Sequence, residues 1–377
     1  MSLMQFNSVP AGAHSIGPGQ PIFFIAEIGL NHNQDLDLAK QMIDVAVDAG
    51  CSAAKFQTFQ AEHVYVGGGR AGTYRLMGKD IPIYELHESL EMSAEWVREL
   101  KAHCDERGIV FFSAPIGTRA LDMLDDVGTA LFKISSYELT NLPFVEEVAE
   151  RGKSVILSTG AATLGEVEAA VELLGANNCP VALMHCVTQY PAPFDAANLG
   201  AMGTLRSAFA VPVGFSDNGF TNANGDIDSL RVPEAAAMLG ADLFEIHITT
   251  SRTLPGPDHG FATEPEELKA MVRRMQALRI EYNAGQREAV DPVLLGRSAK
   301  RTLDGEQYVR EFAFKSVFAI RDIAEGERLT KENTRVLRPG SGPRGVEPSH
   351  WSVLLNRCVA RHPLGAWEPI TWDWLLK

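Results

Sequence analysis

Short apolar segments rich in β-branched and aromatic residues recur along the chain, and stretches with helical periodicity lie between them. Eight of these segments are predicted to be strands: Phe23–Gly29, Ala53–Phe59, Ile109–Pro115, Ala130–Ser136, Ser154–Gly160, Val181–Val187, Val211–Asp217 and Leu243–Thr249. Amphipathic patterns predict helices such as Leu36–Ala49, Thr163–Leu174 and Glu264–Tyr282. Eight nearly uninterrupted alternations favour a (β/α)8 barrel, the TIM barrel, over a doubly wound sheet.

The regular alternation occupies only part of the chain. A Gly/Pro-rich leader is assigned to residues 1–20, the barrel to 21–283, a polar linker to 284–309 and a small β-rich domain to 310–377. Within the last segment, FAIRDIAEGERLT and VARHPLGAWEPIT match at a spacing of 41 positions. This match predicts an internal pseudo-repeat, and chance similarity between two ribbons is the alternative.

The stretch from Gln60 to Ser93 is too long for an ordinary connection between a strand and a helix. It contains Gly67, Gly68 and Gly69, but no helix opening with Lys-Ser or Lys-Thr follows, as a phosphate-binding P-loop requires. We therefore predict a lid over the mouth of the barrel.

Composition limits the classes of function. The 34 Lys and Arg residues stand against 48 Asp and Glu, giving a net charge of −14 that disfavours nucleic-acid binding. An anionic substrate therefore requires a local basic pocket. Five widely spaced cysteines without a CxxC pair argue for a reducing cytoplasm and against a disulfide framework or zinc site. No membrane span or secretory signal is predicted.

Charged residues interrupt several of the predicted strands, near their carboxyl ends. These residues are Glu27, Lys55, Lys133, Glu245 and His247. Because barrel strands are buried on both faces, and barrel enzymes build their active sites at the carboxyl ends, we predict an active site there. The two lysines would form an anion site, assisted by hydroxyl groups at other strand ends: Ser136, Ser158 and Ser216.

Glu245 and His247 lie two positions apart, so their side chains share one face of a strand. This pair is suited to binding a divalent metal or to proton transfer. A structural histidine bonded to its neighbour is an equally good interpretation. Asp258, just beyond the strand, adds a further carboxylate.

An ordered set of motifs resembles the sialic acid synthases and related nonulosonic acid synthases and spore-coat polysaccharide proteins. The motifs are IAEIGLNHN, KFQTF, FKISSYELTN, ILSTGAA, LMHCVTQYP, GFSDN and FEIHITTSRTLPGPDH. The C-terminal segment resembles the antifreeze-like (SAF) domain of the same enzymes. The resemblance extends over about residues 20–377.

This resemblance implies an enzyme that condenses phosphoenolpyruvate with an N-acetylated hexosamine similar to N-acetylmannosamine. The products are a nine-carbon acid for surface polysaccharides and phosphate, and manganese or magnesium is the implied cofactor. Four groups of residues follow from the motifs: Lys55, Lys133, Ser136, Ser158 and Ser216 for phosphoenolpyruvate; Glu27, Glu138 and Asp258 for catalysis; His247, Asn218 and Glu245 for the metal; Thr188 and Lys315 for substrate on the sugar side.

The sequence departs from the family pattern on the sugar side. Asn218 stands where the family has a histidine, and an amide oxygen binds transition metals more weakly than imidazole, so metal dependence is left open. Thr188 stands where relatives often have Asn or Ser, and Lys315 stands in place of a C-terminal-domain arginine. The stretch Phe220–Arg231 is also longer than usual.

The sequence is also compatible with two other functions and with a homodimer. The chain could be a catalytically altered sugar- or sugar-nucleotide-binding homologue, or an aldolase with Lys133 as a Schiff-base lysine. A flexible linker of this length spans about 25–30 Å. It would allow a domain-swapped homodimer, in which the C-terminal domain of one chain covers the barrel of the other.

Overall fold

A computed structural model describes residues 7–76, 78–222 and 224–376. Its centre is a parallel sheet of eight strands: Phe23–Gly29, Ala53–Phe59, Val110–Ile116, Leu131–Ile134, Ser154–Ser158, Val181–Cys186, Val213–Asp217 and Leu243–His247. Neighbours in sequence pair with each other, the eighth strand pairs with the first, and the third lies against the fourth. The predicted barrel is confirmed, and each predicted strand end lies within two residues of the observed one.

Helices surround the barrel and bury their apolar faces against the outer side of the strands. The first, Leu36–Ala49, begins after Asp35, whose carboxylate accepts two backbone N–H groups, and ends at Gly50 with φ +84°. The remaining helices are Ile83–Glu88, Ala94–Arg107, Thr118–Asp126, Leu142–Ala149, Leu164–Ala176, Gly200–Phe209, Arg231–Met238, Pro265–Asn283, Pro292–Leu295, Gln307–Ala313 and Trp351–Arg357. No helix in the described part of the chain has the length and apolar character needed to cross a bilayer.

The described part of the leader is folded, whereas residues 1–6 lie outside the described residues. Two short strands, Val9–Ala11 and His14–Ile16, form an antiparallel hairpin. Their apolar side chains join a buried cluster with Ile25, Phe112 and Ile156 from the barrel interior. The hairpin thus covers the amino-terminal end of the barrel, opposite the predicted site.

The predicted lid lies over the other end of the barrel. It contains an antiparallel hairpin, Thr73–Leu76 with Lys79–Pro82, followed by the helix Ile83–Glu88. The glycines of this segment allow close contact with the C-terminal domain, because a Cβ atom on Gly67 would lie 2.8 Å from the Trp367 ring. The lid is therefore packed against that domain.

The segment interpreted as a linker is also packed. It contains the helix Pro292–Leu295, and the Asn198 side chain on the barrel donates to the Ala299 carbonyl at 3.1 Å. The Thr204 hydroxyl donates to the Ser298 carbonyl at 2.6 Å. Hence this segment is not a flexible spacer of the kind that would let the C-terminal domain reach the barrel of another chain.

The C-terminal domain has its own buried apolar cluster and four short strands: Ser316–Ala319, Thr334–Leu337, Val359–Ala360 and Leu375–Leu376. Its two arms follow the predicted pseudo-repeat. Ile323 and Leu364 exchange two backbone hydrogen bonds at 2.9 Å. Glu327 and Glu368, at equivalent positions, each accept a backbone N–H three residues earlier.

Candidate active site

A cavity of about 480 Å³ lies at the carboxyl ends of the barrel strands, below the lid. Ten of the thirteen predicted site residues line it: Glu27, Lys55, Lys133, Ser136, Ser158, Ser216, Asn218, Glu245, His247 and Asp258. Alternation along the strands explains the arrangement, because Glu245 and His247 project from one face of the eighth strand. The prediction that the charged strand residues meet at one rim is confirmed.

Four charged side chains form a continuous row on the floor of this cavity. Lys55 Nζ lies 2.5 Å from Glu27 Oε2 and 3.6 Å from Glu245 Oε1, and Lys133 Nζ lies 2.6 Å from Glu245 Oε2. All four side chains are buried. Carboxylate and ammonium groups alternate along the row, so each buried charge has an opposite neighbour.

Neighbouring opposite charges favour the ionised forms of Glu245 and Lys55. Burial would raise the pKa of Glu245, but the ammonium groups of Lys133 and Lys55 outweigh burial and lower this pKa to about 2. Burial would lower the pKa of Lys55, but Glu245 and Glu27 together raise it. The floor therefore presents fixed positive charges beside carboxylates.

Hydroxyl groups surround the two lysines. Ser216 donates to Glu245 Oε1 at 3.2 Å, and Ser136 Oγ accepts the backbone N–H of Gly160 at 2.9 Å. Ser158 ends the fifth strand and lines the same cavity. Ammonium and hydroxyl donors in one pocket are suited to a phosphate or carboxylate ligand.

The opposite side of the floor holds His247, Asp258 and Asn218. His247 Nδ1 is buried, has no hydrogen-bond partner and lies 3.8 Å from Asp258 Oδ2. The Asn218 amide nitrogen donates to the Val187 carbonyl at 2.8 Å, which leaves the amide oxygen available as an acceptor. Burial raises the pKa of Asp258 against the opposing effect of His247.

Comparison with known proteins adds a family assignment to this geometry. Residues 42–287 match the NeuB family, and residues 314–376 match the SAF domain. The chain belongs to the NeuB family.

Several NeuB-family relatives cover nearly the whole chain. The spore coat polysaccharide biosynthesis protein SpsE of Bacillus subtilis is 38% identical and covers 96% of this chain and 95% of its own length. The N,N'-diacetyllegionaminic acid synthase of Campylobacter jejuni is 35% identical, covering 84% of this chain and 90% of itself. The human N-acetylneuraminate-9-phosphate synthase is 30% identical, with 91% and 90% covered.

Solved structures agree with this family assignment. The crystal structure of Bacillus subtilis SpsE has a TM-score of 0.86 at 35% identity and covers 98% of this chain and 99% of its own. The N-acetylneuraminic acid synthetase of Leptospira borgpetersenii, in complex with citrate, has a TM-score of 0.66 at 32% identity, with 83% and 98% covered. The fold of nearly the whole chain is thus shared with a relative of known structure.

The predicted metal ligands of this NeuB-family chain differ in how well they fit a cation. Glu245 does not fit, because its two oxygens already lie beside two lysines and Ser216. His247 does fit, because its buried Nδ1 has no hydrogen-bond partner, and Asn218 lines the same cavity. Among the described residues, no three His, Cys, Asp or Glu side chains form a metal cluster. A cation that retains several waters, such as magnesium or manganese, suits such a sparse site.

Two other predicted site residues, Glu138 and Lys315, lie outside the cavity and bind each other. Lys315 Nζ is 2.8 Å from Glu138 Oε1 and donates to the His63 carbonyl at 2.9 Å. Asn141 donates to the second oxygen of Glu138 at 2.9 Å. Both charged side chains are buried, and the pair joins the SAF domain to the barrel.

Thr188 also lies outside the cavity. Its backbone N–H and hydroxyl both donate to Glu306 Oε1, at 2.9 and 3.1 Å. These bonds join Thr188 to the segment that follows the barrel.

Sequence reasoning missed Arg338, which the SAF domain inserts into the roof of the cavity. Its guanidinium lies 4.8 Å from the Tyr137 ring centre and 5.5 Å from that of Tyr65. Its Nε is buried without a hydrogen-bond partner. The available signal was a charged residue that follows the apolar pair Val336 and Leu337, directly before Pro339 and Gly340.

The upper half of the cavity is largely apolar. It is lined by side chains from the lid and from the helix Gln307–Ala313, among them Tyr74, Ile83, Leu86 and Phe312. Tyr137 and Tyr190 add hydroxyl groups that lie 3.0 Å apart. The cavity thus combines an ionic floor with a mixed aromatic and hydroxyl-bearing roof.

Proposed function

We propose that this protein condenses phosphoenolpyruvate with the open-chain aldehyde of an N-acetylated hexosamine, giving a nine-carbon nonulosonic acid and phosphate. Relatives named as synthases of legionaminic, pseudaminic and neuraminic acids support this class of reaction. The observation that carries the proposal is the ionic floor, where two buried lysines and three serines surround one end of an enclosed cavity.

Phosphoenolpyruvate would bind on this floor. Its carboxylate and phosphate would accept hydrogen bonds from Lys55, Lys133 and the serine hydroxyls. Glu245 keeps both ammonium groups charged and fixes their position. Preorganised donors of this kind favour an anion without further rearrangement.

The carbon–carbon bond would form between the methylene carbon of phosphoenolpyruvate and the aldehyde carbon of the sugar. The aldehyde oxygen then needs a proton, and Asp258 is suited to donate it because burial raises its pKa despite the nearby His247. The enol carbon bearing the phosphate becomes electron-deficient in this step.

Water would add to that electron-deficient carbon and pass one proton to Glu27, which lies on the same floor. Cleavage of the bond between this carbon and the phosphate oxygen then leaves a ketone. The second proton of the water leaves with the phosphate, so atoms and charges balance. Glu27 is positioned for this role by Lys55 and by Gln57, whose amide donates to it at 2.8 Å.

A divalent cation would be held by His247 and the Asn218 amide oxygen, which leaves Asp258 to carry the proton. When bound, such a cation supplies Lewis-acid polarisation of the aldehyde oxygen. The sugar itself would occupy the upper half of the cavity. There Arg338 and the tyrosine hydroxyls offer donors, and the apolar side chains of the lid contact its acyl group.

The decisive experiment measures phosphate release from phosphoenolpyruvate with a panel of N-acetylated amino sugars, and product masses by mass spectrometry. Sugar-dependent phosphate release, with a product whose mass equals that of the sugar plus pyruvic acid, supports the proposal. Sugar binding without phosphate release would instead favour a binding protein that retains the fold.

One observation favours a second function, because burial lowers the pKa of the Lys133 ammonium, as a Schiff-base aldolase requires. However, Lys133 is held by Glu245 at 2.6 Å, which favours the charged form. Borohydride trapping with pyruvate distinguishes the two, and we expect no covalent adduct on Lys133.

We further propose a cytoplasmic location, where phosphoenolpyruvate is available, and retain the homodimer as a proposal. In the single chain the SAF domain covers its own barrel through Lys315 and Arg338. A swapped dimer could form the same contacts between two chains. A monomeric mass at micromolar concentration, with full activity, would argue against it.

A further inference from the structure

The turn after the fifth barrel strand contains a residue in an unusual backbone conformation. Ala161 has φ +51°, in the left-handed region that side chains other than glycine rarely adopt. It is fully buried and directly follows Gly160, whose N–H donates to Ser136 at 2.9 Å. The conformation of Ala161 therefore affects a residue that lines the cavity.

Side chains from the segment after the barrel hold both polar groups of Ala161. Its N–H donates to Glu306 Oε1 at 3.0 Å, and its carbonyl accepts from Thr302 and from Arg310, each at 2.7 Å. Arg310 is in turn fixed by Glu166, at the start of the following barrel helix. Three side chains thus fix the peptide unit before Ala161 and the peptide unit after it.

Glu306 also reaches the next barrel loop. The same oxygen accepts the N–H and hydroxyl of Thr188, and the other oxygen accepts the N–H of Leu303 at 2.9 Å. Glu306 is 1% exposed. A buried carboxylate with four donors fixes both loops at once, because leaving any of these donors unpaired would be costly.

The space enclosed by these loops is tightly filled. A Cβ atom on Gly160 would lie 2.5 Å from Thr188, 2.8 Å from Cys186 Sγ and 2.9 Å from Ser136 Oγ. Two of these neighbours, Ser136 and Cys186, line the cavity. A small shift of the Ala161 turn would therefore displace the anion-binding hydroxyls directly.

We propose that Glu306, together with Thr302 and Arg310, positions the loops that form the anion-binding wall of the cavity. Glu306 itself lies outside the cavity lining, so it acts through Ala161 and Thr188 and does not contact substrate. This inference rests on the proposed function only in naming phosphoenolpyruvate as the anion. The segment after the barrel would then contribute to the active site by positioning its loops.

The test compares Glu306→Ala and Glu306→Gln with Glu264→Ala, a control that also removes a capping glutamate and, like Glu306, is not among the residues that line the cavity. Binding of phosphoenolpyruvate alone is measured by calorimetry. Reaction of buried thiols with iodoacetamide is measured by peptide mass spectrometry at Cys186, Cys104 and Cys179.

Glu306→Ala should weaken phosphoenolpyruvate binding about tenfold or more, the scale for losing hydrogen bonds to a charged group. It should also accelerate labelling of Cys186 while Cys104 and Cys179 stay protected. Glu306→Gln can keep one oxygen on Ala161 and Thr188 but loses the acceptor for Leu303, so its binding should lie between that of Glu306→Ala and the wild type, whereas the control should match the wild type. Adding Ala161→Gly to Glu306→Ala should recover part of the binding, because glycine adopts positive φ without a brace.

Two results would overturn the inference. One is unchanged phosphoenolpyruvate binding and unchanged Cys186 labelling in folded Glu306→Ala. The other is a parallel rise in labelling of all three cysteines, which would indicate general loosening of the barrel. If the wild-type protein releases no phosphate with any sugar, the proposed function fails, and thiol labelling still tests the role of Glu306.

Discussion

Replacing Glu245 by glutamine tests the ionic floor most directly. Glutamine has the same shape, so the change removes charge without creating a cavity. Glu27 would then remain as the single carboxylate beside Lys55 and Lys133, leaving one buried positive charge uncompensated. Removing one partner of a buried ion pair costs about 3–5 kcal/mol of unfolding free energy.

Deprotonation of a lysine sets an upper limit for this loss of unfolding free energy. A lysine that loses its carboxylate can release its proton, which at pH 7 costs about 5 kcal/mol from the ordinary pKa of 10.5. The cost of releasing the proton falls by about 1.4 kcal/mol for each unit of rising pH. The variant should therefore be less impaired at pH 9 than at pH 7.

Thermal unfolding followed by circular dichroism in phosphate-free buffer measures the effect. For a barrel of this size we expect a midpoint lower by about 2 °C for each kcal/mol lost. Phosphate at about 100 times its dissociation constant should restore about 2.7 kcal/mol, because it replaces the missing negative charge. The control is Glu99→Gln, whose pair with Lys40 is exposed and should contribute less than about 1 kcal/mol. An unchanged midpoint at pH 7 in phosphate-free buffer would refute the reasoning.

Four further predictions concern the site and its surroundings. Lys55→Ala and Lys133→Ala should each weaken phosphoenolpyruvate binding by about 2–4 kcal/mol, and calorimetry showing unchanged affinity in both would contradict the anion site. Arg338→Met should raise the KM for the sugar and leave the KM for phosphoenolpyruvate unchanged in steady-state kinetics, whereas equal changes in both would contradict a sugar-side role. Burial lowers the pKa of His185 to about 3, so its contribution to stability is complete above pH 6.5 and is lost as pH falls toward 3. Denaturant unfolding of His185→Gln should show a flatter decline over that range. Chelator should abolish activity, and magnesium or manganese should restore it. Asn218→His should lower the metal concentration that activity requires. Full activity in protein that elemental analysis shows to be metal-free would exclude the cation.

The barrel could be predicted from sequence because its signals are local. Each strand is a short apolar run, and the charged residues within these runs, such as Lys133 and Glu245, mark the end that faces the cavity. The period of two along a strand also placed Glu245 and His247 on one face. Hydrophobic pattern and buried charge were therefore sufficient for the fold and for the ionic floor of the cavity.

The remaining contacts depend on partners far apart in sequence. Lys315 binds Glu138 across 177 positions, and Thr188 binds Glu306 across 118. A lysine in a sequence motif gives the same pattern whether its side chain faces a substrate or a buried carboxylate. The sequence pattern also gave no sign that the polar segment 284–309 packs against the barrel, because partners such as Asn198 and Thr204 lie 101 and 94 positions away from the residues they bind.

Closure of the barrel has a consequence for synthesis of the chain. The first strand, Phe23–Gly29, pairs with the last, Leu243–His247, and 213 residues separate them. At about 5–20 residues per second, a ribosome needs roughly 10–40 s to make that interval. During this time the first strand lacks one neighbour, and the hairpin Val9–Ile16 lacks part of the barrel floor that it covers. We expect the nascent chain to depend on chaperones that shield apolar strand edges until residue 247 has emerged.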